Sequence, residues 1–255
     1  MKIIESYLTN HRCYKSDRRI NVKGLMLHSV GVNQPSASVF VNSWDTDSKV
    51  ECVHAFIDAN TGNVHQTLPW TYRANHCGGS GNSTHISVEI CEPHCIKYTS
   101  GSLFTCSDIT TAKKMVKRTY DSAVKLFAKL CIEYGLNPLA NGVIVSHHEG
   151  YATGIALNHG DPEHLWNGLG TGYTMDKFRK DVNNLINKPF LVKVSTDHLN
   201  MRTGPSTKYS RIGYIPVGVF TIVGVNGAWG KLKSQQLYKG KLVDAWIHMG
   251  YVTKL

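Results

Sequence analysis

The chain has 255 residues, of which 42% are hydrophobic and 18% are charged, and its formal net charge is +10 at pH 7. This length and composition predict a soluble globular protein with one large and one small domain. No apolar run is long enough to span a membrane, and residues 1–6 lack the apolar core of a secretory signal peptide, so we expect a cytoplasmic product.

The first 187 residues have the pattern of an α/β domain, in which strands and helices alternate. Amphipathic spacing of apolar residues predicts helices at 36–44 and 109–134, and a last helix that begins after Thr174. Short or alternating apolar runs predict strands at 23–30, 52–58, 64–68, 84–91 and 142–146.

The last 65 residues have a different sequence pattern. Short apolar runs separated by Gly, Pro and Asn predict a small all-β barrel. Residues 191–255 hold nine Lys and Arg against two Asp and Glu, a net charge of +7. This excess of positive charge favours an anionic partner, such as nucleic acid, a cell wall or a membrane surface.

Seven cysteines lie within the first 131 residues. The odd count and the absence of a signal peptide favour reduced thiols. Cys91, His94, Cys95 and Cys106 fit no common zinc spacing, so we interpret these cysteines as buried structural thiols.

Histidines and one aspartate stand where predicted strands end. His28 lies near the end of one strand, His147 and His148 follow another, and Asp161 lies in the loop beyond. Two imidazoles and one carboxylate around an open fourth position are typical of catalytic zinc. In an extended chain, adjacent His147 and His148 point in opposite directions, so only one of them is expected to bind the metal.

Two further residues have the chemistry that a zinc hydrolase needs. Glu89 is a carboxylate within an apolar strand, which suits a general base. His159 stands two residues before Asp161 and suits a donor to the developing oxyanion.

Five motifs occur in order along this part of the chain. They are residues 24–29 (GLMLHS), 53–58 (VHAFID), 62–66 (GNVHQ), 86–90 (ISVEI), and 146–149 (SHHE) together with 159–162 (HGDP). Together they resemble the zinc-dependent N-acetylmuramoyl-L-alanine amidases of the type-2 class, relatives of phage lysozyme-like amidases and peptidoglycan recognition proteins. The resemblance implies a central mixed β-sheet flanked by helices.

The resemblance also implies roles for individual residues. It places the zinc ligands at His28, His147 and Asp161, with His147 rather than His148 as the second ligand. It places the catalytic glutamate at Glu89. His159 stands where the family commonly has a lysine, and a histidine there can donate a proton without carrying a fixed charge.

Substrate contacts are implied at three positions. His54 matches a family position that lines the cleft. His76 follows Asn75, whereas family members often have Trp-His in this loop, so one substrate-stacking aromatic is missing. Trp70 or Tyr72 is the candidate replacement.

The tail resembles a bacterial SH3-like (SH3b) domain. Its motifs are residues 199–207 (LNMRTGPST), 212–218 (IGYIPVG), 229–232 (WGKL) and 245–252 (AWIHMGYV). Such domains commonly bind cell walls, which suits the +7 charge of this part of the chain.

We therefore expect an amidase domain at 1–187, a linker at 188–191 and an SH3b wall-binding domain at 192–255. The expected function is hydrolysis of the amide between N-acetylmuramic acid and L-alanine by a Zn²⁺-dependent phage or prophage endolysin. Its expected partner is bacterial peptidoglycan, and we expect neither nucleic-acid binding nor membrane insertion. We expect the enzyme to act on the wall after release through a pore or by lysis. Two alternatives are a wall-lytic cysteine peptidase using Cys77 with His76, and a non-catalytic peptidoglycan-binding protein.

Overall fold

The computed structural model describes all 255 residues. They form two compact units, one made of residues 1–127 and 137–182 and the other of residues 128–136 and 183–255. None of the helices combines the length and the apolar character needed to cross a bilayer.

The first unit is built on a six-stranded mixed sheet with the order β1-β4-β3-β5-β2-β8. All pairs are parallel except β3 with β4, which form an antiparallel hairpin through the turn at residues 60–63. The central strands β2 and β5 are buried almost throughout, as expected where helices cover a largely parallel sheet. The strands are β1 (Ile3–Glu5), β2 (Gly24–Ser29), β3 (Ala55–Ile57), β4 (Val64–Gln66), β5 (His85–Ile90) and β8 (Ile144–Ser146).

A separate hairpin of β6 (Ile96–Ser100) and β7 (Leu103–Cys106) precedes the longest helix. That helix, α3, spans the predicted residues 109–134. The helices are α1 (Arg12–Lys15), α2 (Ala37–Trp44), α3 (Ile109–Tyr134), α4 (His147–Ala152), α5 (Glu163–Gly168) and α6 (Met175–Ile186), with a 3-10 turn at Ser80–Ser83.

The helices gain much of their stability from aromatic packing. Tyr120 of α3 stacks on Tyr173 with ring centroids 3.9 Å apart, and Phe178 of α6 packs edge-on against Tyr120. Trp166 of α5 is fully buried in the same cluster. Clusters of this kind contribute large buried areas and favourable edge-to-face contacts.

The structure differs from the expectation at His147 and His148, which begin helix α4 and are not part of an extended segment. Ser146 caps this helix, because its hydroxyl accepts from the Glu149 backbone N–H while the Glu149 carboxylate accepts from the Ser146 N–H. Such a reciprocal cap favours a helix directly after a strand. The side chains of neighbouring helical residues diverge by about 100°, so His147 and His148 still cannot face the same way.

The second unit contains a seven-stranded antiparallel sheet with the order β11-β10-β16-β13-β12-β9-β17. Its core includes Val192, Val194, Ile222 and Ile247, all fully buried. The strands are β9 (Phe190–Val194), β10 (Leu199–Arg202), β11 (Arg211–Ile215), β12 (Gly218–Asn226), β13 (Trp229–Leu232), β16 (Trp246–His248) and β17 (Val252–Lys254), with a separate hairpin of β14 (Gln236–Tyr238) and β15 (Lys241–Val243) and a 3-10 turn at Met249–Tyr251. The predicted fold class, a mixed α/β domain followed by an all-β domain, is confirmed.

Candidate active site and metal centre

The candidate site lies where three parallel strands end together. His28 on β2 pairs directly with Glu89 on β5, and Leu27 pairs with Ser146 at the end of β8. Directly paired residues of neighbouring strands project to the same face of the sheet. The pairing therefore places His28 and Glu89 side by side and brings His147, the first residue after β8, to the same edge.

His28, His147 and Asp161 converge in a buried cluster. His28 Nδ1 lies 3.0 Å from His147 Nδ1. The Asp161 carboxylate lies 3.5 Å from His28 Nδ1 through Oδ2 and 3.4 Å from His147 Nδ1 through Oδ1. All three potential ligand atoms lie within 4.8 Å of one another.

The hydrogen bond between His28 and His76 favours the tautomer of His28 with a free Nδ1 lone pair. His28 Nε2 lies 3.0 Å from His76 Nδ1, so a proton on His28 Nε2 can be donated to His76 and leaves His28 Nδ1 unprotonated. Burial lowers the pKa of His147 to about 4, with the nearby His28 adding to the effect, so His147 is neutral at pH 7. Neutral imidazoles with inward lone pairs are the form that binds a metal ion.

Asp161 completes the donor set with a charged oxygen. Its Oδ2 accepts from the Ser29 backbone N–H at 3.1 Å, whereas the buried Oδ1 has no hydrogen-bond partner. Burial acts to raise the pKa of Asp161, but the close imidazoles of His159, His28 and His147 outweigh it and hold this pKa well below its usual range. A buried carboxylate oxygen without a hydrogen bond, close to two imidazole nitrogens, forms a donor set that fits a divalent cation.

Glu89 stands beside this cluster in an apolar setting. The residue is half-buried, and its Oε2 is buried without a hydrogen-bond partner. Burial, together with the nearby carboxylates of Asp161 and Glu92, raises the pKa of Glu89 well above its usual value. A carboxyl group in such an environment binds a proton more readily than one in water, which is what a general base must do.

His159 lies at the open side of the cluster. Its ring stacks on His147 with centroids 4.4 Å apart, and its side chain is 64% exposed. The Asp161 carboxylate, whose Oδ1 lies 3.5 Å from His159 Nδ1, raises the pKa of His159, so the structure favours its protonated form more than the sequence suggested. His148, in contrast, is exposed and its side chain takes no part in the cluster.

A cleft of about 570 Å³ opens above the cluster. Trp44 and Glu51 contribute to its wall, and Gly101 and Ser102, at the tip of the β6–β7 hairpin, also line it. His76 also lines the cleft. Trp44, which the motifs did not single out, therefore provides an aromatic surface in the cleft.

Sequence reasoning also missed a buried polar network under the hairpin. The Tyr98 hydroxyl donates to Glu92 Oε2 at 2.6 Å and accepts from His164 Nε2 at 2.7 Å. Glu92 Oε1 accepts from the backbone N–H of Gly31 at 3.0 Å. The network ties the β6–β7 hairpin to the loop after β2 and to α5, and so positions one wall of the cleft. No local pattern indicates it, because its members come from separate segments.

His54 and the two alternatives for the missing aromatic, Trp70 and Tyr72, do not line the cleft. His54 is fully buried, and its ring binds the Ser87 hydroxyl through Nδ1 and the Tyr72 carbonyl through Nε2. The Tyr72 ring lies under the Arg19 guanidinium at 4.0 Å. Trp70 also lies outside the cleft lining. His54 lies just before β3, and the hydrogen bonds of both its ring nitrogens hold it in the interior, away from the cleft.

Cys77 lines the cleft but lacks the environment of a nucleophile. Its thiol donates to Asn82 Oδ1 at 3.3 Å, and burial raises its pKa. His76, the neighbouring base candidate, already accepts a hydrogen bond from His28 through Nδ1. A reactive cysteine needs a lowered pKa and a free base, so this geometry argues against a cysteine peptidase.

Comparison with known families identifies both parts of the chain. The profile described as N-acetylmuramoyl-L-alanine amidase matches residues 17–164, more than half of the chain, and the profile of the bacterial SH3 domain matches residues 197–253. The chain thus belongs to the N-acetylmuramoyl-L-alanine amidase family. It is a peptidoglycan hydrolase that acts on the amide bond after N-acetylmuramic acid.

Solved structures support the fold. The catalytic domain of XlyA is 17% identical, with a TM-score of 0.50 over 71% of this chain and 99% of that one. The catalytic domain of PlyG is 19% identical, with a TM-score of 0.51 over 72% of this chain and 94% of that one. At these identities the likeness concerns the fold alone. No curated protein matches the chain.

Tyr98→Phe tests the network under the hairpin. The change leaves the buried Glu92 Oε2 and His164 Nε2 without their shared partner, so the free energy of unfolding should fall by about 1–3 kcal/mol. Urea denaturation of the two proteins measures the difference. Tyr151→Phe, at an exposed position, should change stability by less than about 0.5 kcal/mol, and an equally small effect for Tyr98→Phe would contradict the role of the network.

Proposed function

We propose that this amidase is a zinc enzyme whose metal is bound by His28, His147 and Asp161. The observation that carries the proposal is the buried convergence of two imidazole nitrogens and a carboxylate within 4.8 Å. This set of two nitrogens and one oxygen leaves a fourth position for water or substrate, as catalytic zinc requires. The second bond of His28, to His76, fixes the orientation of its ring.

When bound, zinc supplies a Lewis acid that polarises the amide carbonyl and lowers the pKa of water. Glu89 takes the proton of the attacking water and returns it to the alanine nitrogen as the carbon–nitrogen bond breaks. His159, at the open side of the cluster, donates a hydrogen bond to the oxygen that gains negative charge. Trp44 and His76 contact the substrate from the cleft wall.

Digestion of purified peptidoglycan tests the bond and the metal together. Removal of zinc with a chelator should abolish the release of new L-alanine amino termini, and added zinc should restore it. No new reducing sugar ends should appear in either case. Release of alanine termini by protein shown to be metal-free would refute the zinc proposal and leave the amidase assignment intact.

The adjacent histidines provide a matched pair for the ligand assignment. His147→Ala should lose bound zinc and nearly all activity, because two protein ligands hold a catalytic metal weakly. His148→Ala removes an identical side chain from an exposed position and should retain both. The measurements are zinc content by elemental analysis and the rate of alanine release. Loss of zinc in His148→Ala with retention in His147→Ala would reverse the assignment.

Glu89→Gln tests the general base. The amide has the size of the carboxylate but cannot accept the proton, so the rate should fall at least about a hundredfold. Zinc content and binding to cell walls should stay unchanged. Near-normal turnover by this variant would remove Glu89 from the mechanism.

We also propose that residues 192–255 are a wall-binding SH3b domain, joined through residues 188–191 to a catalytic domain formed by residues 1–187. The supporting observations are the profile match at 197–253 and the net charge of +7 over 191–255. An excess of positive charge attracts the anionic polymers of a bacterial wall.

Replacement of Lys233, Lys239 and Lys241 by Gln tests this attraction in the full-length protein. All three side chains are exposed, so the fold should persist while retention on purified walls falls several-fold at low salt. Added salt should weaken the retention of the unmodified protein, because exposed charges are screened. Sedimentation with insoluble walls measures both effects.

The control removes the same charge from the catalytic domain. Lys113, Lys114 and Lys125 are exposed on α3, and their replacement by Gln should leave retention almost unchanged. Equal losses in the two triple variants would show that only the net charge matters.

We infer that the protein acts as an endolysin, made in a reducing compartment and released to the wall by lysis or through a pore. The seven cysteines support this inference, since five of them are buried free thiols within the catalytic domain. Unpaired buried thiols are typical of proteins that fold under reducing conditions.

A further inference from the structure

Outside the candidate active site, two buried cysteines from distant parts of the chain face each other. Cys13 lies in helix α1, and Cys52 precedes β3. Their Sγ atoms lie within 4.8 Å of each other. Both belong to a small apolar cluster with Leu8, Leu68 and Ala74.

His11 holds the two cysteine-bearing segments together. Its Nδ1 accepts from the Cys13 backbone N–H at 3.0 Å, and its Nε2 lies 3.1 Å from the carbonyl of Glu51, the residue before Cys52. His11 is fully buried. Because both ring nitrogens are used in these hydrogen bonds, His11 has no lone pair left for a metal ion, and the two thiols remain as the reactive groups of this cluster.

The two thiols differ in reactivity. A hydrogen bond from the Cys52 thiol and the nearby His11 lower the pKa of Cys13, and they outweigh its burial. The hydrogen bond to Cys13 and burial both raise the pKa of Cys52. Cys13 is also the more accessible of the two, with 8% exposure against 0% for Cys52. This asymmetry makes Cys13 the attacking thiolate and Cys52 the resolving thiol.

We propose that Cys13 and Cys52 form a disulfide when the protein meets a low-molecular-weight disulfide such as oxidised glutathione. The Cys13 thiolate attacks one glutathione sulfur, which forms a mixed disulfide and releases the first glutathione thiol. Cys52 then attacks the Cys13 sulfur, its proton passes to the leaving glutathione sulfur, and the second glutathione thiol is released. The two cysteines are oxidised by two electrons, and one glutathione disulfide is reduced to two thiols.

The geometry permits the bond with little rearrangement. A disulfide needs sulfurs about 2.05 Å apart, so the two atoms must approach by less than about 3 Å. Cys13 on helix α1 and Cys52 before β3 both lie outside the strands of the six-stranded sheet, so the approach of the two sulfurs does not require a strand of the sheet to move. The bond would close a loop of about forty residues, and closure of a loop of this size stabilises a fold mainly by restricting the unfolded chain.

The position of the bond connects it to the cleft. Glu51 and Val53, on either side of Cys52, both line the cleft. Cys52 also pairs through its backbone with Asn75, the neighbour of His76. The disulfide would therefore fix the wall of the cleft after the protein leaves a reducing compartment, and it is independent of whether the bound metal is zinc.

Peptide mapping of the folded full-length protein tests the proposal without any variant. The protein is treated with oxidised glutathione, unfolded with N-ethylmaleimide present, and digested with trypsin in the absence of reductant. Trypsin releases Cys13 in residues 13–15 and Cys52 in residues 50–73, each fragment with one cysteine. We expect these fragments joined, about 2 Da lighter than their sum because two hydrogens are lost.

Two results would overturn the proposal. One is recovery of both fragments carrying N-ethylmaleimide under conditions that oxidise Cys95 and Cys106, the other neighbouring pair. The second is a stable glutathione adduct on Cys13 with Cys52 still alkylated, which would show that the resolving step fails.

Thermal unfolding gives an independent readout. Oxidation should raise the unfolding midpoint of the unmodified protein by roughly 5 to 10 °C. The increase should vanish in Cys52→Ala, or in Cys13→Ser if the first variant does not fold, and persist in Cys91→Ala, which removes a buried thiol outside the pair. An increase that survives both replacements within the pair would assign the effect to other cysteines.

Discussion

The parallel pairing of β2 with β5 on one side and β8 on the other is the constraint on which the site depends. Parallel strands end at the same edge of a sheet, so the residues at their carboxyl ends meet there although they are far apart in the chain. His28, Glu89 and His147 meet in this way, in the register that pairs His28 with Glu89. A shift of one residue in this register would turn Glu89 to the opposite face.

The surroundings of the two carboxylates at this edge, Asp161 and Glu89, set their charge states in opposite directions. Asp161 keeps its negative charge because the imidazoles of His28, His147 and His159 lie close to it, whereas the partly buried Glu89 has no such neighbours that favour its charged form and gains affinity for a proton. Two carboxylates in one cleft thus acquire different chemistry from their surroundings. This difference suits Asp161 to bind the proposed metal as a charged ligand, and it suits Glu89 to accept and return a proton in the proposed reaction.

Much of the fold follows from local patterns in the sequence. Helix α3 occupies the predicted residues 109–134, because its apolar spacing persists over seven turns. Residues 147–152, in contrast, carry too short a pattern to show a helix, and the cap formed by Ser146 and Glu149 decides their conformation. The β6–β7 hairpin and its network of Tyr98, Glu92 and His164 also escaped prediction, since hydrogen bonds between distant segments leave no periodic signal.

The sequence by itself determined the class of protein, through ordered motifs whose residue types suit a metal-dependent hydrolase, and it determined the basic character of the tail. Only the tertiary structure decided which side chains face the cleft. His54 is buried and hydrogen-bonded, whereas Trp44 lines the wall of the cleft. Side-chain direction depends on strand register and helix packing, which the local sequence does not fix. The meeting of Cys13 with Cys52 has the same origin, since chain folding alone brings residues 39 positions apart into contact.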